Sequence, residues 1–233
     1  MISTAVVLAG GLGTRLKGVL KGLPKPMAPI HDRPFLEYQM DFWISQGVTR
    51  FILSIGYLSH RIIEHFGDSY HTASIEYIVE DELLGTGGAL LLASQGLTET
   101  FLVLNGDTFF EVDLIKFIAF HKKNKSEVTL SIFKSNHLDR YMSVNLGDDG
   151  EIISFQSELN KLTALANGGV YLLDPLALKR LNSTEYKKSS LENDLLPKFI
   201  SLGCCLYGFQ SSGKFIDIGI PKDYYRAQKI LKN

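Results

Sequence analysis

Cysteine is nearly absent from this chain: Cys204 and Cys205, side by side, are the only two in 233 residues. Neighbouring thiols cannot staple distant segments, so a disulfide framework is excluded, and a reduced pair fits a cytoplasmic setting. Both read as small apolar residues of a strand. The six histidines show no metal-ligand spacing, so none is given a function. No apolar run reaches the ~18 residues of a membrane span. The N-terminus has no basic region ahead of an apolar one, so it does not read as a signal peptide. Charge of one sign is missing too: 24 Lys and Arg face 25 Asp and Glu, for a net charge of −1. That excludes a broad basic surface for nucleic acid or an anionic membrane, while local basic residues stay free to bind a small anion. No linker, low-complexity tract or internal repeat divides the chain. Two familiar phosphate loops are also absent. There is no G-x-x-x-x-G-K-[ST], and no G-x-G-x-x-G spacing with a ribose-binding acid behind the second strand.

What is present is an alternation of strand and helix patterns. Apolar residues make up 45% of the chain, enough for one large domain or one and a half. Ile2 to Leu8 reads as a buried parallel strand. Phe35 to Gln46 has the apolar spacing of a helix ended by Gly47. Arg50 to Ile55 is a second strand, and Ser59 caps a helix through Phe66. Ile75 to Val79 alternates as a third strand. Gly85 to Ser94 reads as a loop becoming a helix. Phe101 to Leu104, Asp113 to Asn124 and Val128 to Phe133 follow as strand, helix and strand. This order predicts an α/β fold: a Rossmann-like, mostly parallel but mixed sheet flanked by helices on both faces. After about residue 135 the rhythm changes to short strands. Ser143 to Leu146 and Glu151 to Phe155 flank a turn at Gly147 to Gly150, and Gly169 to Leu173 is another. Leu191 to Leu202 reads as a helix, Cys204 to Phe209 as a strand, and Pro221 to Leu231 as a closing helix. The expectation is one domain over 1–233, with a first half to about 134 and a second half from about 135.

The chain is organised around Leu8-Ala9-Gly10-Gly11-Leu12-Gly13-Thr14-Arg15-Leu16, followed by Pro24-Lys25-Pro26-Met27. Glycines at 10, 11 and 13 let backbone approach a ligand closely. Exposed amides in such a loop form an anion-binding concavity. Arg15 adds a charged fork for phosphate oxygens. Lys25 adds a point charge on a segment stiffened by prolines. Together they read as a polyphosphate site. A carboxylate, Asp107, stands just past the fourth strand in Asn105-Gly106-Asp107, where open α/β sheets bind ligands. A second, Asp217, lies in the apolar stretch Phe215 to Gly219, where a lone charge is costly. Two such carboxylates on one crevice would suit Mg²⁺.

These stretches resemble the signature of the sugar-1-phosphate nucleotidyltransferases, and the similarity runs nearly end to end. Within that family, Pro24 to Pro29, Arg33 to Tyr38 and Leu84 to Ala89 resemble the short guanylyltransferases acting on D-glycero-α-D-manno-heptose 1-phosphate. The resemblance implies the reaction: a sugar 1-phosphate attacks the α-phosphorus of a nucleoside triphosphate, GTP favoured, and pyrophosphate leaves. It implies that Arg15 and the Gly10 to Thr14 amides hold the β- and γ-phosphates, that Lys25 stabilises the α-phosphate, and that Asp107 and Asp217 hold Mg²⁺. Gly85-Thr86-Gly87-Gly88 looks like the base-binding loop, with Leu8, Ala9 and Gly10 facing base or ribose. The resemblance implies that the half to about 134 binds nucleotide and the half from about 135 binds the sugar phosphate, and the implied sugar-phosphate contacts comprise Asn105, Gly106, Tyr141, Asn167, Gly168, Gly169 and Glu192. Two departures fall there. The family usually has Tyr-Gly where this chain has Tyr141-Met142, and Glu-Lys after the Phe155 strand, where Glu158 and Lys161 are the available substitutes. The chain also lacks the hexapeptide-repeat β-helix that longer members append. Alternatives stay open: another hexose 1-phosphate with GTP, UTP, CTP or dTTP, or a non-catalytic binding homologue. Self-association is left open as well.

Overall fold

The computed structural model describes residues 2–20, 22–136, 140–155, 164–181 and 185–231. The first strand, β1 (Thr4–Leu8), leads through a 3₁₀ turn into α1 (Lys17–Leu20). A second 3₁₀ turn at Lys25–Met27 precedes a two-residue hairpin, β2 (Pro29–Ile30) and β3 (Arg33–Pro34). Then come α2 (Phe35–Ser45), β4 (Arg50–Ile55), α3 (Ser59–Phe66), β5 (Ser69–Tyr70), β6 (Ala73–Val79) and α4 (Gly85–Ala93). β7 (Phe101–Asn105), β8 (Thr108–Phe110), α5 (Leu114–Lys123) and β9 (Val128–Ser135) follow. The second half holds β10 (Ser143–Leu146), β11 (Ile152–Ser154), β12 (Ala164–Leu173), α6 (Pro175–Lys179), α7 (Leu196–Ser201), β13 (Leu206–Gln210), β14 (Phe215–Asp217) and α8 (Pro221–Ile230).

Ten strands form one mixed sheet in the order β11-β10-β12-β7-β1-β4-β6-β5, with β9 joined to β12 and β13 to β9. The pairs β1–β4, β1–β7 and β4–β6 are parallel. Around β12 the pairing turns antiparallel, to β7, β9 and β10. The expected parallel first half and altered second half are therefore both present, within one continuous sheet. β1 shows why its run is apolar throughout: Ala5 and Val7 enter one core and Val6 and Leu8 the other, as a strand covered on both faces requires. The first core lies under α2, α3 and α5, the second under α4, α6 and α7. A third, smaller core joins Leu16, Ile30, Phe35, Phe109, Ile216, Ile218 and Tyr224.

Some boundaries differ from the sequence pattern for physical reasons. β12 begins at Ala164, because Ala164 to Asn167 pair with Ile132 to Ser135. The expected helix from Leu191 starts as a wide π turn over Leu191–Leu195 and becomes α-helical only at Leu196. Pro197 has no N–H to donate to the carbonyl four residues back, so the regular ladder is interrupted there. The Gly147 to Gly150 turn closes as expected, with the Gly147 amide on Glu151 O at 2.8 Å. Cys204 is buried and Cys205 exposed. Among the described residues no helix is long and apolar enough to cross a membrane.

Candidate active site

A cleft of about 530 Å³ opens at the C-terminal ends of β1 and β7. β4 and β6 extend the sheet to one side of β1, whereas β7 and β12 extend it to the other. The cleft thus lies where the strand order reverses, the usual ligand position in open α/β sheets. Leu8, Ala9, Gly10, Gly11, Gly13 and Thr14 line it, as expected for the glycine loop. A Cβ on Gly106 would stand 2.8 Å from Leu8 O, so the turn after β7 lies directly on the end of β1. Arg15 is placed otherwise. It is exposed on the Thr14–Leu16 turn and is not among the cleft-lining residues. Its neighbour Leu16 is fully buried in the third core, which leaves Arg15 on the turn's outer side.

Lys25 does line the cleft, and its ammonium is bonded to Asp107 Oδ2. The two side chains are 15% and 38% exposed, so the pair faces the opening. Asp217 comes to the same neighbourhood through the β8–β14 ladder, where it lies opposite Thr108. The Ile218 amide donates to Asp107 O at 3.0 Å. The two aspartates are thus backbone neighbours, but each carboxylate carries its own partner. Asp217 Oδ1 accepts from the Gly219 amide at 2.5 Å and Oδ2 from Arg140 Nη2 at 3.0 Å. The other arm of Arg140 binds Asp223, which is buried in α8. Burial works against the Arg140 charge, but bonds to Asp223 and Asp217 outweigh it and hold the guanidinium pKa above its ordinary value. Among the described residues, no group of three or more His, Cys, Asp or Glu is placed to hold a metal.

Glu192 also faces the cleft. Its Oε2 accepts from the Thr86 hydroxyl at 2.7 Å, and its Oε1 from Asn105 Nδ2 at 3.2 Å and the Tyr171 hydroxyl at 3.4 Å. Tyr171 is 1% exposed, and burial pushes its ionisation well above the ordinary tyrosine value, so it remains a donor. Asn167 is buried behind it, with Nδ2 on the Tyr171 oxygen at 2.7 Å. Residues four apart in a regular strand stand roughly 13 Å apart. Here a register shift at Gly168-Gly169 brings them together. Gly169 takes φ +72°, and a Cβ on Gly168 would press to 2.4 Å from the Phe110 ring. Asn167, Gly168 and Gly169 therefore support the cleft from behind rather than lining it.

The 85–88 stretch divides similarly. Gly85 and Thr86 line the cleft, whereas Gly87 and Gly88 do not. Their amides donate to Ser189 O at 2.8 and 3.3 Å, and a Cβ on Gly88 would fall 2.2 Å from Lys187 O. These two glycines seat α4 against the 187–190 segment. Tyr141 lies off the cleft, packed against Phe133 and Phe215. Glu158 and Lys161 lie outside the described residues.

One further acid lines the cleft. Glu80 follows β6, and a Cβ on Gly10 would stand 2.1 Å from its Oε1. The Ser54 hydroxyl donates to Oε1 at 3.2 Å and the Leu84 amide to Oε2 at 3.1 Å. Burial raises its carboxyl pKa, and these two donors offset the rise only in part.

Comparison with known proteins decides the family. The pattern described as "Nucleotidyl transferase" matches residues 4–233. The chain belongs to the nucleotidyl transferase family. It is 40% identical over 223 residues to D-glycero-alpha-D-manno-heptose 1-phosphate guanylyltransferase of Campylobacter jejuni subsp. jejuni serotype O:2, covering 95% of this chain and 96% of that one. It is 42% identical to the protein of that name from Aneurinibacillus thermoaerophilus, covering 98% of each. Among solved structures, HddC from Yersinia pseudotuberculosis complexed with GMP-PN superposes with a TM-score of 0.84 at 36% identity, over 99% of this chain and 100% of that one.

The sequence does not single out two charged groups of this nucleotidyltransferase: Glu80, which lines the cleft, and Arg140, which holds Asp217 without lining it. Glu80 had a legible signal: an acid immediately past a parallel strand, the same argument that singles out Asp107. Arg140 had none, since its partners Asp217 and Asp223 lie about eighty residues on and meet it only through β14 and α8.

Proposed function

We propose that this nucleotidyltransferase joins GTP to D-glycero-α-D-manno-heptose 1-phosphate, giving the GDP-heptose and pyrophosphate. The observation that carries the reading is the set of charges lining the cleft. Glu80 abuts Gly10, Lys25 and Asp107 meet beside Gly13, and Glu192 is held beside Asn105. A carboxylate accepts hydrogen bonds and cannot donate them. Guanine offers two adjacent donors, N1–H and the exocyclic amine, which pair with both oxygens. Uracil and thymine offer one donor between two carbonyls that repel the carboxylate, and cytosine and adenine have a ring-nitrogen acceptor there. Glu80 thus favours guanine, in keeping with the guanylyltransferase names of the relatives.

In the reaction, an oxygen of the sugar phosphate forms a bond to the α-phosphorus while the bond from that phosphorus to the bridging oxygen breaks. Pyrophosphate departs with the electron pair. The attacking group is already an anion, so no base needs to remove a proton. What remains for the protein is alignment and neutralisation of charge. Lys25 lies beside the glycine loop and supplies an ammonium to the α-phosphate as it leaves Asp107. Glu192, an acceptor fixed by the Thr86, Ser190, Asn105 and Tyr171 donors, suits sugar hydroxyls. The donor set also fits Mg²⁺: two hard carboxylates, Asp107 in the turn after β7 and Asp217 at the end of β14, on segments joined through the Ile218 amide, leave most of the coordination shell to phosphates and water, as that ion prefers. Asp107 and Asp217 would hold it, and it would screen charge between the two phosphates.

Incubation with Mg²⁺, each nucleoside triphosphate in turn and a panel of sugar 1-phosphates, with pyrophosphate measured, tests this. Release with GTP and the heptose 1-phosphate is expected. Release only with UTP or dTTP overturns the base assignment, and release only with a hexose 1-phosphate overturns the sugar. No release in any combination overturns the transferase reading.

A further inference from the structure

Thr86 belongs to the stretch that the family resemblance assigns to the base, yet its side chain is committed elsewhere. The hydroxyl has one proton and two lone pairs. It accepts from the Leu191 amide at 2.8 Å, and its own proton goes to Glu192 Oε2 at 2.7 Å. Both bonds cross from the first turn of α4, on the cleft wall, to the segment that carries Glu192 more than a hundred residues later. Backbone bonds run alongside them: Gly87 N to Ser189 O at 2.8 Å and Ser189 N to Leu84 O at 2.9 Å. The two segments are therefore joined as one body at this end of the cleft.

We infer that Thr86 is a positioning residue for the sugar end of the cleft, acting through Glu192, and not a contact to the base. This rests on the transferase reading above. Without the hydroxyl, Glu192 Oε2 keeps only the Ser190 hydroxyl at 3.2 Å, a donor two residues away on its own segment. The Leu191 amide then loses its partner as well. The carboxylate is freed from α4, and the increment in affinity that the sugar adds to the nucleotide is lost. An unpaired polar group in a site built to bond a hydroxyl is what makes such sites selective.

The test is calorimetric binding of GDP and of the GDP-heptose to wild type, Thr86→Val and Thr86→Ser, with unfolding temperature measured for each. Valine keeps the shape and removes both bonds; serine keeps both. Wild type is expected to bind the GDP-heptose more tightly than GDP. Thr86→Val is expected to lose at least tenfold of that preference while its GDP affinity moves less than threefold. Thr86→Ser is expected to recover it. Equal weakening of both ligands in Thr86→Val assigns Thr86 to the nucleotide or to general stability and overturns the inference. An unchanged preference overturns it too. Failure of wild type to bind GDP at all instead removes the transferase reading beneath it.

Discussion

At the residue scale the cleft holds two charges whose roles separate by experiment. Burial raises the Glu80 carboxyl pKa. Between the ordinary glutamate value and the raised one, the folded chain holds a proton that the unfolded chain releases. Stability therefore falls as pH rises through that window, and the deficit persists at neutral pH. Glu80→Gln is expected to raise the melting temperature at pH 7, with the gain vanishing near pH 4. The same change removes one of two acceptors for guanine, so kcat/KM for GTP is expected to drop about 10- to 100-fold while that for UTP does not. A lower melting temperature at pH 7 would make Glu80 a structural acceptor for Leu84 instead. Lys25→Ala removes the ammonium now seated on Asp107. A loss of about 10²- to 10³-fold in kcat is expected, as for one preorganised charge donor, measured at saturating substrates. That Lys25 and Asp107 line the cleft was legible from their neighbours, a proline-flanked lysine after a glycine loop and an acid just past a central strand, whereas Glu192 was reached only through the family resemblance. The partners of Thr86 and Asn167 were not, because they depend on a helix seat and a strand irregularity that no local spacing announces.

At the element scale the charges stand on the third core. Ile216 and Ile218 enter it from either side of Asp217, and Phe109 enters it two residues after Asp107. Leu20 and Ala28 enter it on either side of Lys25. Helix α8 closes it from outside: the Tyr224 hydroxyl and Gln228 Nε2 both donate to Pro29 O, at 2.6 and 2.9 Å. One small apolar cluster thus fixes the backbone on which Lys25, Asp107 and Asp217 ride. Ile216→Ala and Leu206→Ala make the comparison, since both residues are buried, the second in the core under α7. Each is expected to cost about 2–5 kcal/mol in urea unfolding. Only Ile216→Ala is expected to lower kcat more than tenfold when assayed well below its melting temperature. Equal kcat in the two would show that the third core stabilises the chain without positioning the charges. The long helices and strands were readable because their apolar residues recur at fixed spacing. This core was not, because Leu16, Phe109 and Ile216 come from three-residue elements scattered over the chain, too short to show a period.

At the scale of the whole molecule the change of rhythm near residue 135 was legible, but it does not correspond to a seam. β9, Val128 to Ser135, ends at it, yet β12 from the second half pairs with β7 and β9 of the first as well as with β10. Parallel and antiparallel halves share one hydrogen-bonded sheet, so neither can lose its pairing without exposing an edge of the other. On this ground the chain is expected to unfold in a single transition, with calorimetric and van't Hoff enthalpies equal. The cleft sharpens the test, because its walls come from both halves: Gly10 and Asp107 from the first, Glu192 from the second. GTP at a hundred times its dissociation constant is expected to stabilise the folded chain by about 2.7 kcal/mol. At this length that raises the melting temperature by about 5–11 °C, and the same concentration of UTP should raise it far less. If the halves were separable, calorimetry would resolve two transitions, and GTP, whose proposed polyphosphate and base contacts lie in the first half, would move only one. A single transition displaced as a whole, by GTP and not by UTP, requires both the continuous sheet and the guanine preference assigned to Glu80.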